Sequence, residues 1–273
     1  MSYSPRIMGI VNVTPDSFSD GGQFASVDKA IDHGLRLIDE GADILDIGGE
    51  STRPGAVRIS IDEEIKRVAP VIEGLVDKGV ELSVDTRNSS TMRAALAAGA
   101  DIINDVTALS WDEKSLDVAA QSRAKICLMH MQGEPQTMQA NPVYGDVVSE
   151  VYDYLEGRIQ VCVEAGIAKD RLMVDVGIGF GKTLDHNLAL LRNLERFHAL
   201  GVPVLLGASR KSFIGHICGE KAPADKRLAG SLAAVGQGAS QGVQIFRVHD
   251  VFETRQFLDV YGAVGGGVDC VIR

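Results

Sequence analysis

Short apolar runs alternate with longer stretches of helical periodicity from one end of the chain to the other. Candidate strands fall at Ile7–Val11, Asp43–Ile47, Glu81–Val84, Asp101–Ile103, Lys125–Met129, Leu172–Val174, Val204–Leu206 and Gln244–Phe246. Ile and Val dominate most of them, as in parallel strands buried on both faces. Between the strands, apolar residues recur at helical spacing. Val27, Ala30, Ile31, Leu35 and Ile38 follow Ser26, and Ile61, Ile65, Val68, Ile72 and Leu75 follow Ser60. Ser60 with Glu63 has the spacing of a capping box. Gly41, Gly79, Gly99, Gly166, Gly201 and Gly242 each follow a helix and precede a strand, where a left-handed C-cap favours glycine. The phrase Gly-Ala-Asp-Ile opens a strand twice, at Gly41 and at Gly99.

Eight strands, each with a following helix, in 273 residues predict a single (β/α)8 barrel domain covering residues 1–273. The usual size of that fold is about 250 residues. A doubly wound sheet is the competitor, but it needs a switch point and about six strands. No linker interrupts the chain, and the Gly-rich end, residues 264–273, reads as a flexible tail.

The net charge of −10 and a pI near 5.1 argue against nucleic-acid binding, which needs a basic footprint. They leave room for an anionic small ligand held by a local group of Arg and Lys. Cys127, Cys162, Cys218 and Cys270 form no CxxC pair and read as reduced thiols. No run approaches the ~18 apolar residues of a membrane helix, and the first residues lack an apolar signal core. A soluble cytoplasmic protein with no membrane role is expected.

In a barrel of this kind the active site lies at the C-terminal ends of the strands. Those ends carry Asn12, Glu50 with Thr52 and Arg53, Asp85, Asn104, His130, Asp175, Ser209 with Lys211, and Arg247 with His249. Any one of them reads equally as a solvated loop residue or a cap. All eight ends carrying one points to a shared mouth. Asp85, Asn104 and Asp175 suit a flat heterocycle that offers ring N–H and amino donors. Arg53, Lys211, Arg247 and His249 suit an anion.

Gly177-Ile178-Gly179-Phe180-Gly181-Lys182-Thr183 looks like a nucleotide phosphate loop, but Val176 stands where that pattern needs its first Gly. The glycines read instead as a tight turn that presents Phe180 at the mouth. Lys211 could form a Schiff base, yet its place beside Arg210 and Ser212 at a helix start better suits binding of an anion or carbonyl. His130, between two methionines, reads as a hydrogen-bonded structural residue, and no His pair has zinc spacing.

The ordered segments resemble those of the dihydropteroate synthases. They are Asn12–Gly22, with the sequence Asn-Val-Thr-Pro-Asp-Ser-Phe-Ser-Asp-Gly-Gly, then Gly49–Gly55, Ser83–Thr86, Ile103–Val106, Met129–Gly133, Gly179–Lys182, Ser209–Phe213 and Arg247–His249. The resemblance runs from residue 7 to about residue 250. It implies a transferase of folate biosynthesis, and a sulfonamide target, that joins (7,8-dihydropterin-6-yl)methyl diphosphate to 4-aminobenzoate. It implies a pterin pocket of Asp85, Asn104, Asp175, Lys211 and Arg247, with Arg247 stacked on the ring. It places Phe18, Thr52, Arg53, Pro54, Phe180, Lys211 and Ser212 on the aminobenzoate side. Asn12, Arg53, Arg247 and His249 go with the diphosphate, Asn12 also with Mg²⁺, and Asp20 joins Asn12, Arg53, Lys211, Arg247 and His249 as catalytic. The run after Asn12, with Phe18 and Asp20, and the segment around Arg53 are implied to be mobile loops over the reacting centre. A homodimer is implied as well. Val176 departs from the family, many of whose members have Pro there to fix the turn after Asp175. Two alternatives share the pterin pocket. One is a methyltransferase domain acting on methyltetrahydrofolate, and the other is an inactive pterin-binding protein.

Overall fold

The computed structural model describes residues 4–13, 23–51, 58–133, 137–218 and 223–265. Eight parallel strands close on themselves in sequence order. They are β1 (Arg6–Asn12), β2 (Ile44–Gly48), β3 (Glu81–Asp85), β4 (Ile102–Asp105), β5 (Lys125–Met129), β6 (Leu172–Asp175), β7 (Val204–Leu206) and β8 (Ile245–Val248). β1 pairs with β8 through Met8↔Arg247, which closes the barrel. The surrounding helices are α1 (Gln23–Asp39), α2 (Ile61–Leu75), α3 (Ser89–Ala98), α4 (Ser115–Gln121), α5 (Val147–Glu164), α6 (Leu184–Arg192), α7 (Ser212–Ile217), α8 (Leu228–Ser240) and α9 (Val251–Gly265). The (β/α)8 barrel expected from the sequence is the fold, with two helices, α7 and α8, between β7 and β8.

The apolar alternation divides into two cores. Met8, Ile44, Ile102, Cys127, Met173, Leu205 and Ile245 fill the floor of the barrel interior. The other strand faces, with Phe246 and Phe197 fully buried, pack against the helices. Each such side chain contributes about 1.5–3 kcal/mol by leaving water. The floor fills the barrel axis, and a cleft opens at the end where the strands finish.

The six glycines expected at helix ends all have left-handed φ, as at Gly99 with 111°. Ser60 Oγ accepts from the Glu63 amide at 3.2 Å, and the Glu63 carboxylate also takes Arg67 Nε at 2.8 Å. α1 begins at Gln23, so Ser26, expected to precede the helix, lies within it. A full capping box stands at α6, where Thr183 and His186 exchange bonds, and His in the Glu/Gln position hid it from the sequence.

Four strand starts also differ from expectation: β1 opens one residue early, at Arg6, and three others open one residue late. Asp43, Asp101 and Gln244 lie just before β2, β4 and β8 and act as caps. Asp43 Oδ2 accepts from Ile7 N at 2.7 Å, Asp101 Oδ2 from Leu82 N at 2.9 Å, and Gln244 Oε1 from Val204 N at 2.8 Å. Each caps the first amides of the preceding strand, which accounts for the repeated Gly-Ala-Asp-Ile phrase. At the other end, α9 runs to Gly265, so Val264 and Gly265 are helical rather than tail. Residues 266–273, the rest of the expected tail, lie outside the described residues. Among the described residues no helix is long and apolar enough to cross a membrane, and Cys127, Cys162 and Cys218 are free thiols.

Candidate active site

Strand pairing continues through residues expected to lie beyond it. Asn12 pairs with Gly48, Gly48 with Asp85, and Asp85 with Asn104. The backbone stays in the ladder while the polar side chains point up the barrel axis, so Asn12, Asp85, Asn104, Asp175 and Arg247 belong to strands rather than loops. A cleft of about 470 Å³ opens above the apolar floor. Asp85, Asn104, Asp175, Phe180, Ser209, Lys211, Arg247 and His249 line it together with Ile10, Val106, Met129 and Ile178.

The buried polar network beneath the cleft turns on Asp46, a β2 residue that sequence reasoning passed over. Asp46 is fully buried. Its Oδ2 accepts from Arg247 Nε at 2.6 Å and from Asn104 Nδ2 at 3.0 Å. Arg247 Nη2 also donates to Asp85 Oδ2 at 2.8 Å. A carboxylate in the middle of the apolar run Ile44–Gly48 was the available signal, since such a group needs a buried cation.

Two of the three groups expected to meet a heterocycle are therefore already engaged by the protein. Asp85 Oδ2 holds Arg247 while its Oδ1 is buried with no hydrogen-bond partner among the described residues, and the amide nitrogen of Asn104 holds Asp46, which leaves the Asn104 oxygen for a ligand. Burial pushes the Asp85 carboxyl up to about 7, with Arg247 opposing and Asp46 adding to the rise. Asp175 differs. Its Oδ1 takes the Gly177 amide at 2.8 Å, while Oδ2 faces Gly207, where a Cβ would sit only 3.4 Å away. The missing side chain at Gly207 keeps that oxygen open to a ligand. Burial also raises the Asp175 carboxyl, offset by the Gly177 N–H and Lys211.

The Gly177–Gly181 turn brings Phe180 to the mouth as expected. Gly177, Gly179 and Gly181 all have positive φ. Val176, where the resemblance implies Pro in many members, is fully buried, and Asp175 Oδ1 accepts from the Gly177 amide beside it. At Gly177 a Cβ would lie 1.9 Å from the His130 carbonyl oxygen, so no other residue fits. Buried Lys182 closes the turn from below. Its Nζ lies 2.9 Å from His130 Nδ1 and donates to the Phe180 carbonyl at 3.0 Å. Burial brings Lys182 down to about 7, and burial with Lys182 brings His130 down to about 3. A neutral, buried His130 set edge-on against Tyr154 at 4.9 Å is the structural residue expected.

Lys211 Nζ donates to the Ile178 carbonyl at 2.8 Å and sits 4.0 Å above the Phe180 ring. Burial lowers it to about 8, opposed by Asp175. Ser209 Oγ accepts from the His249 amide at 3.2 Å and lies 3.0 Å from His249 Nδ1, which directs the far ring edge away from the strand. Arg210 turns outward onto Asp250, with Nε 3.0 Å from Oδ2. Asn12 and Ser212 do not line the cleft: Asn12 ends β1, and Ser212 opens α7 as an exposed residue. Phe18, Asp20, Thr52, Arg53 and Pro54 lie outside the described residues. Glu50 faces Arg87 rather than the cleft.

A family model described as pterin binding enzyme matches residues 8–249, nearly the whole barrel. The chain belongs to this family. Among pterin binding enzymes it is 52% identical over 267 residues to the dihydropteroate synthase of Neisseria meningitidis serogroup B, covering 96% of this chain and 93% of that one. Its fold matches the Xanthomonas albilineans dihydropteroate synthase with 4-aminobenzoic acid at a TM-score of 0.90 and 52% identity, over 96% of this chain and 93% of that one. It matches the Yersinia pestis dihydropteroate synthase in a sulfonamide drug complex at a TM-score of 0.90 and 45% identity, over 96% and 94%.

Proposed function

We propose that this pterin binding enzyme is a dihydropteroate synthase, a transferase that makes 7,8-dihydropteroate and diphosphate from (7,8-dihydropterin-6-yl)methyl diphosphate and 4-aminobenzoate. The observation that carries the reading is the cleft itself. An open carboxylate oxygen at Asp175, a free amide oxygen at Asn104 and the Lys211 ammonium converge above an apolar floor. Asp175 accepts from the pterin amino group and ring N–H, as a carboxylate takes two parallel donors. Lys211 donates to the pterin carbonyl. Arg247, held in place by Asp46 and Asp85, presents its guanidinium to the ring.

The methylene C–O bond breaks first and the electron pair leaves with diphosphate. The 4-aminobenzoate nitrogen, neutral at pH 7, then forms the C–N bond and sheds its proton to solvent or to the departing diphosphate. No strong base is needed, so stabilisation of charge decides the rate. Arg247 and His249, with Arg53, face the anion. Phe180, Lys211 and Ser212, with Phe18, Thr52 and Pro54, take the aminobenzoate side, and Asp20 acts with the run after Asn12 to exclude water from the cation.

Mg²⁺ belongs to the same reading. Among the described residues no group of three His, Cys, Asp or Glu side chains could hold a metal ion. Asn12 is the residue that would hold the ion, which would neutralise charge on the leaving group. A homodimer, a cytoplasmic location and inhibition by sulfonamides complete the proposal. The test is a mixing assay with both substrates. Stoichiometric diphosphate and pteroate support the reading. Pterin binding without diphosphate release would overturn it in favour of an inactive binder or a methyltransferase. Unchanged turnover at saturating sulfonamide would remove the inhibition.

A further inference from the structure

Every second residue of the turn after β6 is a glycine in the left-handed region: Gly177, Gly179 and Gly181 have φ of 69°, 83° and 59°. Glycine permits that path but loses more conformational freedom on adopting it than any other residue. The restraint comes from side chains outside the glycine run. The carbonyls of residues 178–181 each accept from one. Ile178 accepts from Lys211 Nζ at 2.8 Å, Gly179 from Gln139 Nε2 at 2.5 Å, Phe180 from Lys182 Nζ at 3.0 Å and Gly181 from the Tyr144 hydroxyl at 2.9 Å. Neither Lys182 nor Tyr144 lines the cleft. Lys182 is 3% exposed, and its Nζ also meets His130 Nδ1 at 2.9 Å and the His130 carbonyl at 3.3 Å. Those three acceptors match the three hydrogens of an ammonium, so none is left for a phosphate or any other ligand. The Tyr144 ring stands edge-on to His186, in the first turn of α6, at 4.8 Å. Both residues therefore hold the turn from outside the cleft.

What the turn holds in place is the ammonium of Lys211. That group donates to the Ile178 carbonyl and stands 4.0 Å from the centroid of the Phe180 ring, within cation–π range. An ammonium nitrogen is tetrahedral. The Cε–Nζ bond takes one direction, the carbonyl a second, and the ring face draws a third. The remaining N–H then has one direction left. Both fixed partners belong to the turn, so a shift of Phe180 or Ile178 re-aims the donor that Lys211 offers to a ligand. A donor held in its working direction costs nothing to orient when the ligand arrives.

We infer that Lys182 and Tyr144 are positioning residues that act through the turn after β6 to aim the third N–H of Lys211 into the cleft. The inference rests on the reading of Lys211 as the donor to the pterin carbonyl. The test uses Tyr144→Phe, which removes one hydroxyl, and Lys182→Met, which removes all three bonds. Each is made alone and in a Lys211→Met background. Amide hydrogen exchange of the peptide spanning residues 177–182, read by mass spectrometry, should accelerate by about threefold in Tyr144→Phe and by about tenfold in Lys182→Met, as the loss of one and of several hydrogen bonds implies. Affinity for the dihydropterin diphosphate, without aminobenzoate, is read by ligand-observed NMR, which still measures weak binding. It should fall by similar factors in the two variants. In the Lys211→Met background neither change should weaken binding further by more than about twofold, because residues acting through one group are not additive. Unchanged exchange in Tyr144→Phe would overturn the cradle, and that variant decides alone if Lys182→Met does not fold. Faster exchange with unaltered affinity would overturn the positioning role. A full loss of affinity repeated in the Lys211→Met background would make both residues general supports of the fold and overturn it too. Wild-type affinity in Lys211→Met itself would refute the reading of Lys211, and the aim of its ammonium with it, while the exchange data would still show whether the turn is held.

Discussion

Replacing Asp46 by Asn tests whether the buried carboxylate holds the cleft's cation in place. The side chain keeps its shape, and its oxygen can still face Arg247 Nε and Asn104 Nδ2, now 2.6 and 3.0 Å from Asp46 Oδ2. What goes is the charge. The new amide nitrogen must occupy the site of Oδ1, which is buried and has no hydrogen-bond partner among the described residues. Stripping one partner from a buried ion pair costs about 3–5 kcal/mol. Arg247 keeps Asp85 at 2.8 Å and is 20% exposed, so it is not left bare. The loss should thus sit nearer the ~1.5–3 kcal/mol of a charge-assisted hydrogen bond. Without Asp46 beside it, the Asp85 carboxyl should also fall below its present value of about 7 and take more of the load. At about 2–4 °C per kcal/mol for a chain of this size, Tm should drop by roughly 3–12 °C. Thermal unfolding of Asp46→Asn, Arg247→Met and the double variant gives the coupling directly, expected at about 0.5–3 kcal/mol. Additivity within ~0.3 kcal/mol, together with unchanged pterin affinity, would refute the argument that Asp46 anchors Arg247.

Asp175→Ala should abolish pterin binding in calorimetry, because it removes an open carboxylate oxygen of the cleft, while Arg53→Ala should keep pterin binding and lose turnover. The reverse order would sink both assignments. Lys182 holds its proton less tightly folded, at about 7, than unfolded, near 10.5. The unfolded chain therefore binds more protons between those values, and stability rises with pH across that window. Urea unfolding of Lys182→Met from pH 7.5 to 10 should show a shallower rise, though not a flat one, since Lys211 at about 8 acts over the same range. An unaltered slope would mean that Lys182 is not the titrating group. Gly177→Ala has to move the His130 carbonyl and adopt a φ of 69°, so it should cost at least about 1–2 kcal/mol and displace Phe180. Wild-type stability and pterin affinity in that variant would count against the turn as drawn.

Much of the site was readable because the fold repeats. Once eight strands were counted, the polar residue at each end could be placed at one mouth, and Asp85, Asn104, Asp175, Lys211, Arg247 and His249 do meet there. Asn12 and Ser212 were placed at the correct end of the barrel but do not line the cleft. Asp46 escaped notice because it sits inside a strand rather than at its end. Lys182 read as part of a glycine-rich turn, and its burial against His130 depends on a residue 52 positions away. Tyr144 gave no periodic signal, since the Gly181 carbonyl it holds belongs to the turn after the next strand.

Alternating apolar runs, glycine at helix ends and a polar residue after each strand were enough to determine the barrel and its working end, since local propensity and burial set them. The strand starts at Asp43, Asp101 and Gln244 were misjudged because their side chains cap a neighbouring strand, a partner that no local pattern reveals. Only the tertiary structure decided which carboxylate oxygens are taken up by the protein's own cation. Asp46 and Asp85 are committed to Arg247, a residue some 200 and 160 positions away along the chain, and Asp175 keeps an oxygen open because Gly207 leaves room. That division is a matter of distance and burial across the barrel, and neither exists until the eighth strand closes against the first.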